Sequence, residues 1–297
     1  MLSSARALGY MPGIGYLDRT LACHHADLAA FVPWFVAGLP VGRVHRERAK
    51  RLCTVASPFR RVGDRIELRG EDFFTRSEAL AGFLDHLVAN GELRPPLGEA
   101  YPICAGLGAT PLLQIDRTAV TWFGVRAFGV HLNGYVRSRG TVQLWIARRS
   151  LRKRTFPGHL DNFVAGGQPI GSDAQQTLIK ECHEEAGLPA TLATRAVPVG
   201  TIGYVQQDGL SLKPDSMACF DLELPASFEP RAVDGEVENF TLWPAAEVAA
   251  SLRSADLWKA NSALVTLHFL LRFGLLDGEL RAGDRWSLWR AVHGELP

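Results

Sequence analysis

The sequence predicts an α/β protein: an α/β/α sandwich on a mixed sheet, preceded by a smaller α+β domain. Three observations carry that expectation. Strand-like runs cluster between residues 119 and 242, with few helical stretches among them. A capped amphipathic helix interrupts them near residues 173–186. Leu93 to Glu99, with Pro95 and Pro96, reads as a linker or exposed turn, so a boundary falls near residues 100–115. The domains are set at 1–110 and 111–297.

In the first domain, residues 26–39 and 45–56 read as helical. Phe59 to Arg69 alternates around Gly63-Asp64, the pattern of a hairpin. Thr75-Arg-Ser-Glu78 reads as a capping box. Leu80, Phe83, Leu84, Leu87 and Val88 follow at helical spacing, and Gly91 ends that helix. In the second domain, strands are expected at Ala119–Val125, Val130–Arg137, Thr141–Ile146, Val197–Val205, Ser216–Leu224 and Asn239–Leu242. Trp243-Pro244 opens a helix to about Leu252, and another runs over Trp258–Phe273. Ser262 to Leu276 is apolar but interrupted by His268 and Arg272. It is too short for a bilayer and reads as a buried helix. Trp286 and Trp289, in the tail, are candidates for packing or for a homodimer contact.

The chain has 297 residues, 47% of them hydrophobic and 21% charged, with a net charge of +1. That balance is ordinary for a globular protein and offers no basic excess for nucleic acid. Met1 to Tyr16 lacks the apolar core of a signal peptide. The five cysteines are odd in number and form no Cys-x-x-Cys pair, which points to free thiols in a reducing cytoplasm. Cys23-His24-His25 has no second ligand cluster at zinc spacing.

The chemistry concentrates in one segment, Gly166 to Leu188. Glu181, Glu184 and Glu185 lie three and four residues apart, hence on one helix face, where like charges repel. A hard cation removes that repulsion; a solvated face is the alternative. Ser172 is the expected N-cap, with Gln175 as its partner. Gly187 sits at the C-terminal αL position, and Pro189 blocks continuation.

This segment resembles the Nudix box, Gly-x5-Glu-x7-Arg-Glu-U-x-Glu-Glu-x-Gly-U, where U is a bulky apolar residue. Gly166, Glu181, Cys182, Glu184, Glu185, Gly187 and Leu188 match it, while Ser172 and Lys180 stand where Glu and Arg are expected. Lys180 keeps the charge without the guanidinium fork. The resemblance implies the Nudix fold and a Mg²⁺ or Mn²⁺ ion held by Glu181, Glu184, Glu185 and the Gly166 carbonyl. It also implies hydrolysis of a small-molecule diphosphate. Glu181 is one candidate to deprotonate the attacking water; Glu236 or Glu238 in a later loop is the other, and a solvated acidic turn is the alternative for that pair. Glu181, Glu185 and Glu236 are therefore the catalytic candidates.

Around the box, Arg148 and Arg149 end a strand, either as phosphate clamps or as a surface strand end. His131, Asn133 and Tyr135 alternate on one strand face, as a cleft lining or as a satisfied polar core. Lys153 and Asp161-Asn162 fall in the loop leading to Gly166. Trp34, Phe35 and Tyr101 offer stacking surfaces or core packing.

Further stretches resemble one Nudix subgroup, related to the domain fused to thiamine pyrophosphokinase in fungi. They are Gly129-Val-His-Leu-Asn-Gly-Tyr-Val136, Leu144-Trp-Ile-Ala-Arg-Arg-Ser150, Thr155-Phe-Pro-Gly-His-Leu-Asp-Asn162, Phe220-Asp-Leu-Glu-Leu-Pro225 and Asp234-Gly-Glu-Val-Glu238. Its members carry an N-terminal domain of their own, and some cleave damaged thiamine diphosphates, such as the oxo and oxy forms, to monophosphates, so the resemblance implies thiamine diphosphate or such an analogue as the substrate. The other expectations are an ADP-ribose-like nucleoside diphosphate substrate, an isopentenyl diphosphate isomerase, or a non-catalytic nucleotide sensor. The isomerase needs a catalytic Cys and Glu outside the box. The intact carboxylate set speaks against the sensor.

Overall fold

The structure is a computed structural model and describes residues 15–54, 57–63, 65–253 and 257–294. In chain order the elements begin with α1 (Gly15–Leu21), β1 (His24–His25), β2 (Phe31–Val36), β3 (Leu39–His45), α2 (Arg46–Leu52), β4 (Phe59–Val62), β5 (Arg65–Leu68), α3 (Phe73–Ala89), β6 (Ala100–Ile103) and β7 (Leu113–Asp116). There follow β8 (Phe128–Ser138), β9 (Thr141–Arg149), β10 (Leu160–Asp161), β11 (Val164–Gly167), α4 (Ala174–Ala186), α5 (Ala190–Ala193), β12 (Val197–Asp208), β13 (Ser211–Glu223), β14 (Val237–Pro244), α6 (Ala245–Leu252), α7 (Ala260–Arg272) and α8 (Ala282–Val292).

The larger sheet runs β1-β12-β13-β8-β9-β10, with β11 also on β8 and β14 also on β9. β13 and β8 are parallel, β12 and β13 antiparallel, so the sheet is mixed as expected. Strand alternation sends Val130 and Leu132 to one face, into a core with Leu178 and Cys182 of α4. His131, Asn133 and Tyr135 take the other face, where Tyr135 meets Phe269 of α7. The smaller unit is a sheet in the order β3-β2-β5-β4 with α3 and the β6–β7 hairpin. Trp34, Phe59, Phe83 and Phe123 form its aromatic centre. α1 and β1 leave that unit: β1 pairs with β12, and Tyr16 and Cys23 join the α7 core.

The hairpin at residues 59–68 and the helix after Asp72 stand as read, apart from Asp64, which lies outside the described residues, as does nearly all of Met1–Tyr16. Residues 26–39 are not helical. They form a 3-10 turn and two strands, because Phe31, Val32, Phe35 and Val36 are β-formers and Ala37-Gly38 turns at φ 50° and 75°. Ala119–Val125 is not a strand. Asp116 accepts from the Thr118 N–H at 2.9 Å, a 3-10 turn follows, and the apolar run packs as a buried turn ending at Gly124. Both helix caps fall elsewhere than read. Asp72, not Thr75, caps α3, and Thr75 is its capping-box partner; Asp173, not Ser172, caps α4, with Gln176 rather than Gln175. Gly187 is the αL cap, at φ 61°. Among the described residues no helix is long and apolar enough to cross a membrane.

Candidate active site

β11 and α4 assemble the carboxylates. Gly166 pairs with Val130 on β8, and its glycine character has a direct cause. A Cβ there would fall 2.2 Å from Cδ of Glu181, so only glycine lets that side chain lie against the strand. The Gly166 carbonyl oxygen in turn lies 2.9 Å from where a Cβ on Gly129 would sit. The Ala165 N–H donates to Oε2 of Glu185 at 3.0 Å, which anchors the buried carboxylate to the same strand.

Burial pushes the Glu185 carboxyl well above the usual carboxylate range. Asp161 and Glu181 add to that rise, while the Ala165 N–H and Lys259 oppose it. Glu181 is also raised, by burial first and then by Glu184 and Glu236, against the pull of Lys180. Burial likewise raises Glu236, but its bond to Lys153 and the charges of Lys153, Arg117 and Arg149 outweigh that and hold it low. Glu181 thus lies against Gly166 and Glu185 on Ala165, and Glu184, Glu185 and Glu236 are within electrostatic reach of Glu181. Glu238 is exposed at a bulge of β14.

The donor set is all oxygen, which suits a hard divalent cation. The carboxylates are turned to other partners in this structure. Lys180 Nζ lies 2.5 Å from Glu184 and 3.6 Å from Glu181, and Glu185 faces the Ala165 N–H. Among the described residues no three His, Cys, Asp or Glu side chains converge at metal-holding spacing. His24 and His25 simply pair with β12. Cation binding at Glu181 and Glu184 therefore requires both to leave Lys180, a rotation of the exposed Lys180 and Glu184 ends beside a Glu181 side chain that is only 16% exposed.

Behind Glu185 lies a buried polar layer. Asp161 takes Arg149 at 2.9 Å, Lys259 at 3.1 Å and the Ser262 hydroxyl. Burial pushes Asp161 up, but Lys259, Arg149, His131 and Ser262 together hold it far below the usual range. Asn162 bonds Asn133 at 3.2 Å and Thr266 at 3.0 Å, and pairs with Nδ1 of His131 at 2.7 Å. His131 is pushed down to about 4, by burial first and then by Lys259. Asn133 also donates to Asp221, which pairs with Arg272.

The structure therefore sets His131 and Asn133 in this layer. Tyr135 lies apart, between Phe269 and Phe273, with its hydroxyl on Glu223. Arg148 donates to the Gly158 carbonyl at 2.8 Å, and Arg149 also reaches the Phe156 and Thr155 carbonyls, so both grip the 155–158 turn. Trp34 is core, its indole N–H donating to the Phe123 carbonyl, while Phe35 lies under Arg65. Tyr101 is buried with its hydroxyl on Gly167. Trp289 packs against His268 and His293, and Trp286 stays 64% exposed.

Sequence reasoning missed Lys259, Ser262 and Thr266. Their signal is a lysine just before an apolar helix whose buried face carries Asn261, Ser262 and Thr266, polar residues that a core tolerates only with partners.

Comparison with known proteins finds relatives of this chain. Residues 130–264 match the NUDIX domain, and residues 15–127 match a domain of unknown function, DUF4743. Two Arabidopsis thaliana proteins are similar along most of the chain. "Nudix hydrolase 20, chloroplastic" is 36% identical over 281 residues, covering 89% of this chain and 74% of that protein. "Nudix hydrolase 24, chloroplastic" is 36% identical over 274 residues, with the same coverage of 89% and 74%. Among solved structures, DR0079 from Deinococcus radiodurans aligns with a TM-score of 0.42 and 22% identity, over 57% of this chain and 98% of that one.

Proposed function

We propose a thiamine-like diphosphate as the substrate of this chain, which belongs to the Nudix hydrolase family and so acts on diphosphate linkages. The hydrolase reading rests on one observation: Glu181 lies against Gly166 and Glu185 is buried on the Ala165 N–H, with Glu184 and Glu236 within electrostatic reach of Glu181. Glu181, Glu184, Glu185 and the Gly166 carbonyl would hold Mg²⁺ or Mn²⁺. When bound, such a cation neutralises charge on the phosphoryl oxygens. Glu236, held ionised by Lys153 and the guanidiniums nearby, would accept the proton of the attacking water, with Glu181 as the alternative.

The thiamine-like choice is supported by the stretches outside the box that resemble the thiamine-related subgroup. It is supported too by Asp215. Its Oδ1 is buried and, among the described residues, has no hydrogen-bond partner, while Oδ2 accepts from Tyr204 at 2.8 Å and faces Lys213 Nζ at 3.5 Å. A carboxylate of that kind suits an organic group that carries positive charge or amino donors, as thiazolium and aminopyrimidine rings do. A reducing compartment fits the five free cysteines.

The test is to incubate the protein with Mg²⁺ or Mn²⁺ and thiamine, oxothiamine, nucleotide-sugar and isopentenyl diphosphates, following monophosphate release. The thiamine-type substrates should turn over fastest. Glu185→Gln, whose amide oxygen still accepts from Ala165, should keep the fold and lose turnover by more than about a hundredfold. Silence on every diphosphate would sink the catalytic reading.

A further inference from the structure

The geometry points to the β6–β7 hairpin of the N-terminal unit as a clamp on the Gly166–Gly171 loop, with Tyr101 as the positioning residue that sets the Gly166 carbonyl for cation binding. This rests on the cation-site reading above. The hairpin belongs to the N-terminal core: Tyr101, Ile103, Leu113 and Ile115 are buried there with Trp34 and Phe123. Its outer edge nevertheless grips the loop of the other unit. The Ile170 N–H donates to the Ala100 carbonyl at 2.9 Å. One residue on, the Tyr101 hydroxyl lies so close to Gly167 that a Cβ there would fall 1.8 Å from it. The hairpin is in turn tied together at its open end. Arg117 stands 5.9 Å from the Tyr101 ring and bonds Glu99 at 2.8 Å, and Asp116 accepts the Leu97 and Gly98 N–H groups at 3.2 and 2.9 Å.

Gly166 and Gly167 are held to the sandwich by the β11–β8 pairing, and beyond them the loop has few further ties. The Gln168 N–H reaches the Phe128 carbonyl at 2.8 Å, and the Gln168 side chain closes on the Ser172 carbonyl at 2.7 Å. Lys180, on the helix that follows, is taken by Glu184 and Glu181 and gives the loop nothing. The adjoining Gly166 carries the carbonyl assigned to the cation, packed against Glu181. Tyr101 also lies within electrostatic reach of Glu181, although burial is the larger influence on its phenol. A shift of the hairpin is thus transmitted through Gly167 to Gly166 and Glu181.

The test uses the full chain and Mn²⁺ alone, with free Mn²⁺ read by electron paramagnetic resonance beside thermal unfolding. Tyr101→Phe keeps the ring in its core and removes only the hydroxyl; it should leave the unfolding midpoint nearly unchanged and weaken Mn²⁺ several-fold. Gly167→Ala should weaken Mn²⁺ by about tenfold to a hundredfold. Gly167→Ala with Tyr101→Ala should bind more tightly than Gly167→Ala alone, because the added methyl gains the space of the phenol. Diphosphatase kcat at low Mn²⁺ should fall in Tyr101→Phe and recover at saturating Mn²⁺, which a folding defect would not do. The clamp is overturned if Tyr101→Phe and Gly167→Ala bind Mn²⁺ like the parent while Glu185→Gln does not. If Glu185→Gln also binds like the parent, the cation-site reading itself fails, and the clamp with it.

Discussion

Arg149 donates to the Asp161 carboxylate across 2.9 Å, at a point where the two side chains keep only 12% and 8% of their exposure. Lys259 approaches the same oxygen at 3.1 Å. Asp161→Asn leaves two cations buried against a neutral amide. Breaking a buried pair from one side costs about 3–5 kcal/mol, and urea unfolding at pH 7 should show a loss of that size. A loss below about 1 kcal/mol would mean that water screens the trio.

Lys180 is a different kind of ion pair. Its side chain is 55% exposed and that of Glu184 44%. Lys180→Gln should change stability by less than about 0.5 kcal/mol. It should also tighten Mn²⁺ binding a few-fold, because the ammonium no longer competes for Glu181 and Glu184. Weaker binding in the variant, measured by calorimetric titration, would show that Lys180 orders those carboxylates instead.

Acid should destabilise the fold through its buried imidazoles. His268 is pushed down from 6.5 to about 3, by burial first and then by the charges of Arg272 and His293. Its Nδ1 is buried and has no partner among the described residues. The stabilisation is whole above the unfolded value, and it drains as pH falls toward the folded one, because only the unfolded chain takes the proton. Between pH 7 and 4.5 this group alone should cost about 2–3 kcal/mol. His268→Leu should remove about half of that slope in urea midpoints, leaving the part due to His131. An unchanged slope would refute the assignment.

Gly124 and Gly140 test backbone crowding. Gly124 has φ +54°, and a Cβ on it would lie 2.0 Å from the Arg43 carbonyl oxygen; Gly140, at φ +79°, has open space. Gly124→Ala should cost about 3 kcal/mol or more in thermal unfolding, and Gly140→Ala only about 1 kcal/mol. Equal losses would show that the left-handed conformation, not the contact with Arg43, decides.

Much of the sandwich and its carboxylates was legible because the signals are local. The Glu181/Glu184/Glu185 spacing, the Gly187 stop and the alternation in β8 each act within a few residues. The caps were displaced by one to three positions because Ser172 and Asp173, or Asp72 and Thr75, both belong to capping chemistry, and only the backbone angles choose between them. The 119–125 run was misread because an apolar stretch buried as a turn has the composition of a buried strand. The roles of Tyr101 and Lys259 were illegible for another reason. Each gains its meaning from a partner distant in sequence, Gly167 for one and Asp161 for the other.

β1 raises a matter of timing. His24 pairs in parallel with Val205, while Tyr16 and Cys23 fill the core beneath α7. During synthesis this segment leaves the ribosome long before β12 exists to receive it. The intervening N-terminal sheet can close first, since its strands are near neighbours, yet its leading segment must wait unpaired for the far half of the chain. Folding is therefore not one unit after the other. Among the described strands of the large sheet β1 comes earliest in the chain and still waits for β12, and a nascent chain halted before residue 205 exposes the Tyr16 and Cys23 side chains that the finished core covers.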